Sequence, residues 1–470
     1  MEALQRLHNR GSVSTGPVEH DIDNSLKFEP DNSEYIYRTP SSAGNRKTWT
    51  LSFWIKRTEP ADGSNTMRVF EAWDGSTGTS GLFTATDNFI LDLNAGSNYF
   101  TSSAVFRDCS AWYHFVIRVD TTQGTAANRA RVYVNGSELA GSWNSNISQN
   151  TDLTWNEDVA HNFARFHNND SFVSGYYAEI VNVDGTSLAP DSFGATDPDT
   201  GIWIPQPFTG SYGTNGFKLE FKSSGSLGAD TSGNSHTWSL NALAAADQST
   251  DTPTNNFCTL NPLVNFKYGT NIGGMTNGAT VFGDNTGGGV GGAFGTFGVT
   301  AGKWYWEMKL TQQVAHYPGV SAIDDGDNVY ASTDPQDENS TFNYNISAAR
   351  REYVNSGTLT YGSLDEFGDF HSVGDIIAIA LNMDDNQISI YCNGTLQSGI
   401  ANSSLFDAAN KMCVPFHGTI NDEVQYNFGG YSVWTPSSVA NDQNGYGTFE
   451  YAPPSGYYAL CTKNLSEFGG

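Results

Sequence analysis

Apolar and polar residues alternate along several stretches of the chain, and this period of two predicts β-strands with one apolar face. Residues 376–383 are more continuously apolar, which predicts a strand buried on both faces. Two stretches, residues 49–56 and residues 304–310, show the alternation most clearly, and their apolar positions hold Trp49, Leu51, Phe53, Ile55, Trp304, Trp306, Met308 and Leu310.

Two Asn-Gly dipeptides follow predicted strands and mark tight hairpins. Residues 131–134 precede Asn135-Gly136, and residues 388–392 precede Asn393-Gly394. Asparagine and glycine tolerate the positive φ angles that a type I′ turn requires. The two halves therefore share one pattern of strand, Asn-Gly and strand, which is explained either by two related sandwiches or by chance.

Two further segments divide the chain. Residues 222–257 are rich in Ser, Gly, Asn, Asp and Thr, a composition typical of either a structured loop or a flexible hinge. Near the N-terminus, Leu4 and Leu7 share one helical face beside Arg6 and Arg10, and glycine and proline then end the pattern. We expect this basic segment to be a short docking tag, with a frayed terminus as the alternative.

Composition supports an all-β fold. The 470 residues include 50 glycines and 13 % aromatics but only 16 % charged residues, whereas helices favour long charged side chains and exclude glycine. The five cysteines lack metal-type spacing and are expected to be buried free thiols made in a reducing cytosol. The first eleven residues hold no apolar run of signal-peptide length, so we expect synthesis in the cytoplasm.

Charge and motif searches exclude several functions. The formal net charge of −27 argues against binding nucleic acid or an anionic membrane. The glycine run at residues 287–292 lacks the Gly-Lys-Ser/Thr of a phosphate-binding loop. The sequence also contains no Gly-x-Ser-x-Gly and no His-x-x-x-His. We therefore expect no enzymatic activity and no catalytic residue.

Two acidic clusters and several aromatic residues are candidates for binding. Residues 324–327 and 197–199 could offer oxygen ligands to calcium, but neither has EF-hand spacing, so solvated turns are favoured and no cofactor other than calcium is considered. An exposed aromatic ring beside amides and carboxylates suits a sugar, although the same rings could instead cap the core. The candidate glycan or receptor residues are Trp73, Asp74, Tyr99, Trp143, Trp155, Tyr317 and Asp334.

The first half resembles the laminin G-like, concanavalin A-like lectin/glucanase family. The resemblance covers residues 22–222 and is carried by residues 49–56, 112–115, 132–136 and 177–185. It implies a two-sheet jelly roll that often binds glycans, sometimes through calcium.

The second half is similar to SPRY domains. Residues 302–307, 373–381, 388–394 and 427–430 match strands and a closing motif of that family, so the resemblance covers residues 257–437. It implies a bent β-sandwich whose loops bind protein partners without catalysis. The predicted organisation is a tag at residues 1–21, a lectin-like domain at 22–222, a linker at 223–256, a SPRY domain at 257–437 and an extension that packs on it at 438–470.

The tandem as a whole resembles virion proteins of marine tailed phages, on strings such as residues 201–205, 210–216, 251–257 and 451–457. This resemblance implies a non-enzymatic virion protein, with a tail fibre or tail-associated adhesin favoured over a capsid decoration or head-fibre protein. An envelope-polysaccharide depolymerase is the enzymatic alternative.

The expected partners follow from this resemblance. Leu4, Arg6, Leu7 and Arg10 would dock the chain to other virion proteins, and the sandwiches would contact a host-surface glycan or protein. We expect neither nucleic acid nor membrane insertion. Particle symmetry would impose the oligomer, with a trimer as one option.

Overall fold

The computed structural model describes most of residues 20–469. The residues outside the description are 1–19, 61–62, 64, 269–273, 284–289, 312–315, 324–340, 347–349, 356–357, 362–371, 398–402, 405–411, 421–422 and 470. The described part is nearly all-β and builds two β-sandwiches, as the sequence predicts.

The described residues of the first sandwich form eighteen strands. In chain order they are β1 (Ser25–Phe28), β2 (Tyr35–Arg38), β3 (Thr48–Arg57), β4 (Met67–Trp73), β5 (Gly78–Phe83), β6 (Asn88–Asp92), β7 (Tyr99–Val105), β8 (Tyr113–Asp120), β9 (Ala130–Val134), β10 (Ser137–Glu138), β11 (Gly141–Trp143), β12 (Ala160–Phe163), β13 (Gly175–Asp184), β14 (Gly194–Thr196), β15 (Trp203–Pro205), β16 (Phe217–Leu219), β17 (Ser239–Asn241) and β18 (Gln248–Ser249). Short 3₁₀ turns lie at Pro30–Asn32, Ala126–Asn128, Pro190–Ser192 and Ala245–Asp247.

Two antiparallel sheets enclose the first core. One sheet has the order β10-β9-β8-β3-β13-β1-β18, with β16 added to β13, and the other has the order β11-β7-β6-β5-β4-β12-β2-β17. Phe53 stacks on Phe115 of the neighbouring strand at 5.5 Å and meets Phe70 of the opposite sheet edge-on at 6.2 Å. These large rings fill the core in place of a larger number of aliphatic residues.

The second sandwich follows with sixteen strands among the described residues. They are β19 (Leu260–Tyr268), β20 (Met275–Thr276), β21 (Val281–Phe282), β22 (Val290–Gly295), β23 (Lys303–Leu310), β24 (His316–Ile323), β25 (Thr341–Asn345), β26 (Arg350–Asn355), β27 (Thr358–Tyr361), β28 (Ile376–Asn382), β29 (Gln387–Cys392), β30 (Thr395–Leu396), β31 (Ser403–Ser404), β32 (Met412–Ile420), β33 (Val424–Asn427) and β34 (Tyr458–Ala459). Helix α1 spans Thr462–Phe468.

The two sandwiches have corresponding strand orders. The order β30-β29-β28-β23-β33-β21 repeats β10-β9-β8-β3-β13-β1, and the order β27-β26-β25-β24-β32-β22 repeats β7-β6-β5-β4-β12-β2, whereas the edge strands β11, β17, β18, β19 and β20 do not correspond in chain order. Both Asn-Gly hairpins occupy the same place, since Asn135 Oδ1 accepts the His114 N–H at 2.8 Å and Asn393 Oδ1 accepts the Ile376 N–H at 2.9 Å. The shared sequence pattern therefore marks equivalent hairpins in two sandwiches of one topology.

Strands β3 and β23, which the alternating pattern predicted, are buried on both faces and not on one face as expected. Chain that follows the last long strand of each sandwich folds back over the outer face. In the first sandwich, Phe193 packs on Val116 and Val181. In the second, Phe449 meets Tyr305 edge-on at 5.1 Å. An apolar outer position such as Trp54 is therefore also a core position, a distinction that alternation alone cannot make.

The segment at residues 223–256 is structured and joins the two sandwiches. Within it, β17 pairs with β2 and β18 pairs with β1. Asp251 then accepts hydrogen bonds from Lys56 Nζ at 2.7 Å and from Trp112 Nε1 at 3.0 Å, and Tyr176 Oη donates to the Gly278 carbonyl at 2.9 Å. The segment is therefore a structured loop rather than a flexible hinge.

The remaining global features concern cysteines and helices. All five cysteines are free thiols, as predicted, and four of them are buried, while Cys392 is half-buried. Among the helices of the described residues, none has the length and apolar character needed to cross a membrane.

Candidate functional site

Two of the predicted binding residues are buried, so their assignment to a glycan site is wrong. Trp155 is fully buried and donates its Nε1–H to Asn182 Oδ1 at 2.9 Å, while its ring packs edge-on against Phe70. Tyr317, on β24, is 4 % exposed. Trp155 belongs to the core of the first sandwich, which is the alternative that the sequence left open, whereas Tyr317 is buried on the face of β24 opposite to the core residues Val320 and Ala322.

Trp73 and Asp74 lie at the end of β4, where both are occupied by neighbours. The Trp73 ring stacks on His167 with centroids 4.1 Å apart, and this His167 contacts the buried Glu71 at 3.2 Å. Asp74 accepts the backbone N–H groups of Ser76 and Thr77, which lowers the pKa of its carboxyl to about 2. Trp73 therefore has one face covered, and Asp74 stabilises a turn.

Tyr99 and Trp143 lie on neighbouring strands but on opposite faces of the sheet. Trp143 of β11 is paired with Phe100 of β7, so these two side chains point to the same side. Tyr99 precedes Phe100 and therefore points to the other side. The structure thus does not bring Tyr99 and Trp143 together, and Trp143 has Phe100 as its aromatic neighbour at 5.7 Å.

Trp143 lines a groove at one edge of the first sandwich, between β9–β10 of one sheet and β7–β11 of the other. The groove has a volume of about 360 Å³. Gly141 is required here, because a Cβ at this position would lie 2.4 Å from the Phe100 ring and 2.3 Å from the Thr101 carbonyl. The lining residues are Phe100, Ala127, Ala130, Arg131, Val132, Glu138, Leu139, Ala140, Gly141 and Trp143. We call this feature the Trp143 groove.

The Trp143 groove combines an apolar floor with a polar rim. Arg131 donates to Glu138 Oε2 at 2.9 Å and to Asn128 Oδ1 at 2.7 Å, and the side chains of the ion pair are 33 % and 52 % exposed. Such an exposed pair is worth little to stability, so its polar atoms can exchange partners. An aromatic ring beside exchangeable polar groups can accept a sugar ring and hydrogen-bond its hydroxyls.

Several sequence-based candidates have no counterpart in the described structure. Leu4, Arg6, Leu7, Arg10 and Asp334 lie outside the described residues, as does the cluster at residues 324–327. Asp197 accepts the N–H groups of Asp199 and Thr200 and so forms a turn. Among the described residues, no three acidic, histidine or cysteine side chains form a metal-type cluster. Calcium binding therefore stays a prediction without a site.

Sequence reasoning missed most of the groove. Phe100, Arg131, Glu138 and Leu139 reach it because β10 and β11 are short strands that end each sheet at the same edge. One available signal was the glycine at position 141 between the Asn-Gly turn and Trp143, since a glycine inside a strand often marks a close approach.

In the comparison with known proteins, a family model matches part of the first sandwich. Residues 30–183 match the family model of the concanavalin A-like lectin/glucanases superfamily, Laminin_G_3. No curated protein matches the chain.

Solved structures give weaker similarities. A Bacteroides ovatus protein classed as carbohydrate-binding has 13 % identity and a TM-score of 0.34, with 47 % of this chain and 59 % of that chain covered. Domains LG4-5 of the mouse laminin alpha1 chain have 10 % identity and a TM-score of 0.29, with 96 % of this chain and 89 % of that chain covered. The SPRY domain of human HERC1 has 20 % identity and a TM-score of 0.21, with 31 % of this chain and 85 % of that chain covered. Such low identities and TM-scores carry no argument about ligands. Residues 30–183 of the first sandwich are thus similar to laminin G-like, concanavalin A-like lectin domains.

Proposed function

We propose that this chain is a non-enzymatic binding protein whose lectin-like domain holds a surface glycan in the Trp143 groove. The observation that carries the proposal is the half-buried Trp143 ring in an apolar groove that a polar rim borders. Glu138 is the single carboxylate among the lining residues, whereas glycoside hydrolysis generally uses two. This composition supports binding without cleavage.

Substitution of Trp143 tests the site. Trp143→Ala removes the ring that a sugar would contact, and we expect a loss of about tenfold in affinity, equal to about 1.4 kcal/mol. Tyr37→Ala is the matched control, because Tyr37 is an aromatic residue 40 % exposed on β2, far from the groove in the strand order. Binding is measured on an array of bacterial surface polysaccharides. Equal binding by both folded variants and the unaltered protein would place the site elsewhere.

We further propose that the chain is a virion protein of a tailed phage, in the role of a tail fibre or tail-associated adhesin. The tandem sequence resemblance motivates this role, with the second sandwich as a SPRY-like module that contacts protein. The geometry is compatible with attachment at one end and binding at the other. Asp21 pairs with Lys463 of α1 at 3.0 Å and Ile22 packs near Trp112, whereas Ala130 of the groove pairs with Val119.

The two ends are well separated along β8. Trp112 and Val119 are seven residues apart, which is about 23 Å in an extended strand. The point at which a docking segment would join the fold is therefore distant from the end of β8 that borders the Trp143 groove. Deletion of residues 1–16 is expected to yield folded protein that no longer assembles onto particles. Normal incorporation would contradict the docking role, and antibody labelling of the capsid instead of the tail would favour a decoration protein.

A further inference from the structure

A cluster of buried charged side chains lies where the first sandwich meets the second. Lys27 Nζ contacts Glu34 Oε2 at 3.0 Å and Asp247 Oδ1 at 2.9 Å. Glu29, which follows the last residue of β1, accepts the backbone N–H of Asn277 from the second sandwich. All four charged side chains belong to residues that are at most 7 % exposed. We call this group the Lys27 cluster.

The Lys27 cluster holds more negative than positive groups. Three carboxyls face one ammonium, and two further groups near them are neutral phenols: Tyr431, whose ring lies 5.5 Å from Lys27 Nζ, and Tyr176, which donates to Gly278. Asp31 is an additional acidic neighbour of Glu29. The next buried ion pair, Lys56 with Asp251, is balanced and supplies no spare positive charge. Full ionisation would thus bury uncompensated negative charge, which is costly.

We propose that the Lys27 cluster is a proton-controlled latch, in which one carboxyl holds a proton while the two sandwiches are docked. Loss of this proton weakens the contact between the sandwiches. Glu29 is the group that connects this proton to the junction, because its Oε2 accepts the Asn277 N–H, while its Oε1, which accepts the Asp31 N–H at 3.5 Å, can carry the proton. The two sandwiches then dock most tightly in mildly acidic solution and less tightly near neutrality.

The direction in which docking changes with pH follows from the burial of these carboxyls. Desolvation raises the pKa of Glu29 from its usual 4.5 to about 7, and burial also raises the pKa of Glu34. A carboxyl with a raised pKa binds a proton in the docked state that it does not bind when exposed. Docking therefore weakens as the pH rises from about 4.5 to about 7 and is independent of this group above that range.

Hydrogen exchange of the full chain measures the effect. Peptides that cover residues 274–283 report opening of the junction, and peptides that cover residues 376–382, in the core of the second sandwich, report global changes. After correction for intrinsic exchange, we expect junction protection to fall by up to about tenfold per pH unit between pH 5 and 7. Junction protection should then be constant above about pH 7.

Substitution of Glu29 separates the latch from other titrations. Glu29→Gln retains an acceptor for Asn277 but does not titrate, so its junction protection should be independent of pH in this range. Glu138→Gln is the control and should behave like the unaltered protein, since Glu138 is exposed at the Trp143 groove. If Glu29→Gln does not fold, Glu34→Gln serves instead and should reduce the pH dependence. Equal pH slopes in the unaltered protein and the Glu29 or Glu34 variant would overturn the proposal.

Discussion

Lys56 is the residue at the junction whose removal should have the largest effect on stability. Its fully buried ammonium donates to Asp251 Oδ2 at 2.7 Å, to Asn256 Oδ1 at 2.8 Å and to the Phe257 carbonyl at 3.1 Å. Lys56→Met keeps the volume of the side chain but leaves three acceptors without this donor. The carboxylate of Asp251 would retain Trp112 Nε1 and the Phe257 N–H as donors, but without a positive partner.

The expected cost is about 3–5 kcal/mol, the range measured when one partner of a buried ion pair is removed. For sandwiches of this size, a loss of 3 kcal/mol corresponds to a decrease of about 6–12 °C in Tm. Urea unfolding followed by tryptophan fluorescence measures the free energy, and calorimetry shows whether one transition becomes two. Two transitions would indicate that the pair couples the sandwiches.

The matched control is Lys47→Met. Lys47 makes an exposed contact of 3.8 Å with Asp152, which should contribute at most about 0.5 kcal/mol. A loss below 1 kcal/mol for Lys56→Met would refute the assignment of the junction to this buried pair. The double variant with Asp251→Leu should recover part of the loss, because an apolar pair can replace a buried ion pair.

Three further predictions concern individual side chains. Gly141→Ala should abolish glycan binding by pushing Phe100 into the Trp143 groove, measured on the same array as Trp143→Ala; unchanged binding would contradict the groove geometry. Trp155→Phe should cost about 1–3 kcal/mol in urea unfolding, because Asn182 loses a buried donor, and an unchanged midpoint would contradict that role. Burial raises the pKa of the Cys109 thiol to about 12, so native alkylation at pH 8, read by mass spectrometry, should leave it unmodified while Cys392 reacts; rapid labelling of Cys109 would contradict its burial.

Much of the fold could be predicted because strands have a short-range signature. The alternation at residues 49–56 and the Asn-Gly turns depend only on neighbours in sequence, and both correspond to observed strands and hairpins. The burial of the outer faces could not be predicted in the same way, because it depends on chain far away in sequence. Trp54 shows this, since its outer position is covered by Tyr431 and other members of one cluster.

The candidate binding site was predicted less well, because it too depends on contacts between residues that are far apart in sequence. Trp73, Trp143 and Trp155 all stand beside polar residues in sequence, but long-range contacts place Trp155 in the core and cover one face of Trp73. Only Trp143 lies in a groove, and its partners Arg131 and Glu138 come from a different sheet. Local composition identifies rings that could bind a sugar, whereas the order of strands decides which ring is accessible.

The strands that end two of the four large sheets are very short. β10 and β18 border one sheet of the first sandwich, β30 and β20 border the corresponding sheet of the second, and each has only two residues. An edge of this length offers few free N–H and C=O groups to a strand from another molecule. Copies of the chain at high local concentration therefore carry little risk that these sheets join edge to edge and aggregate.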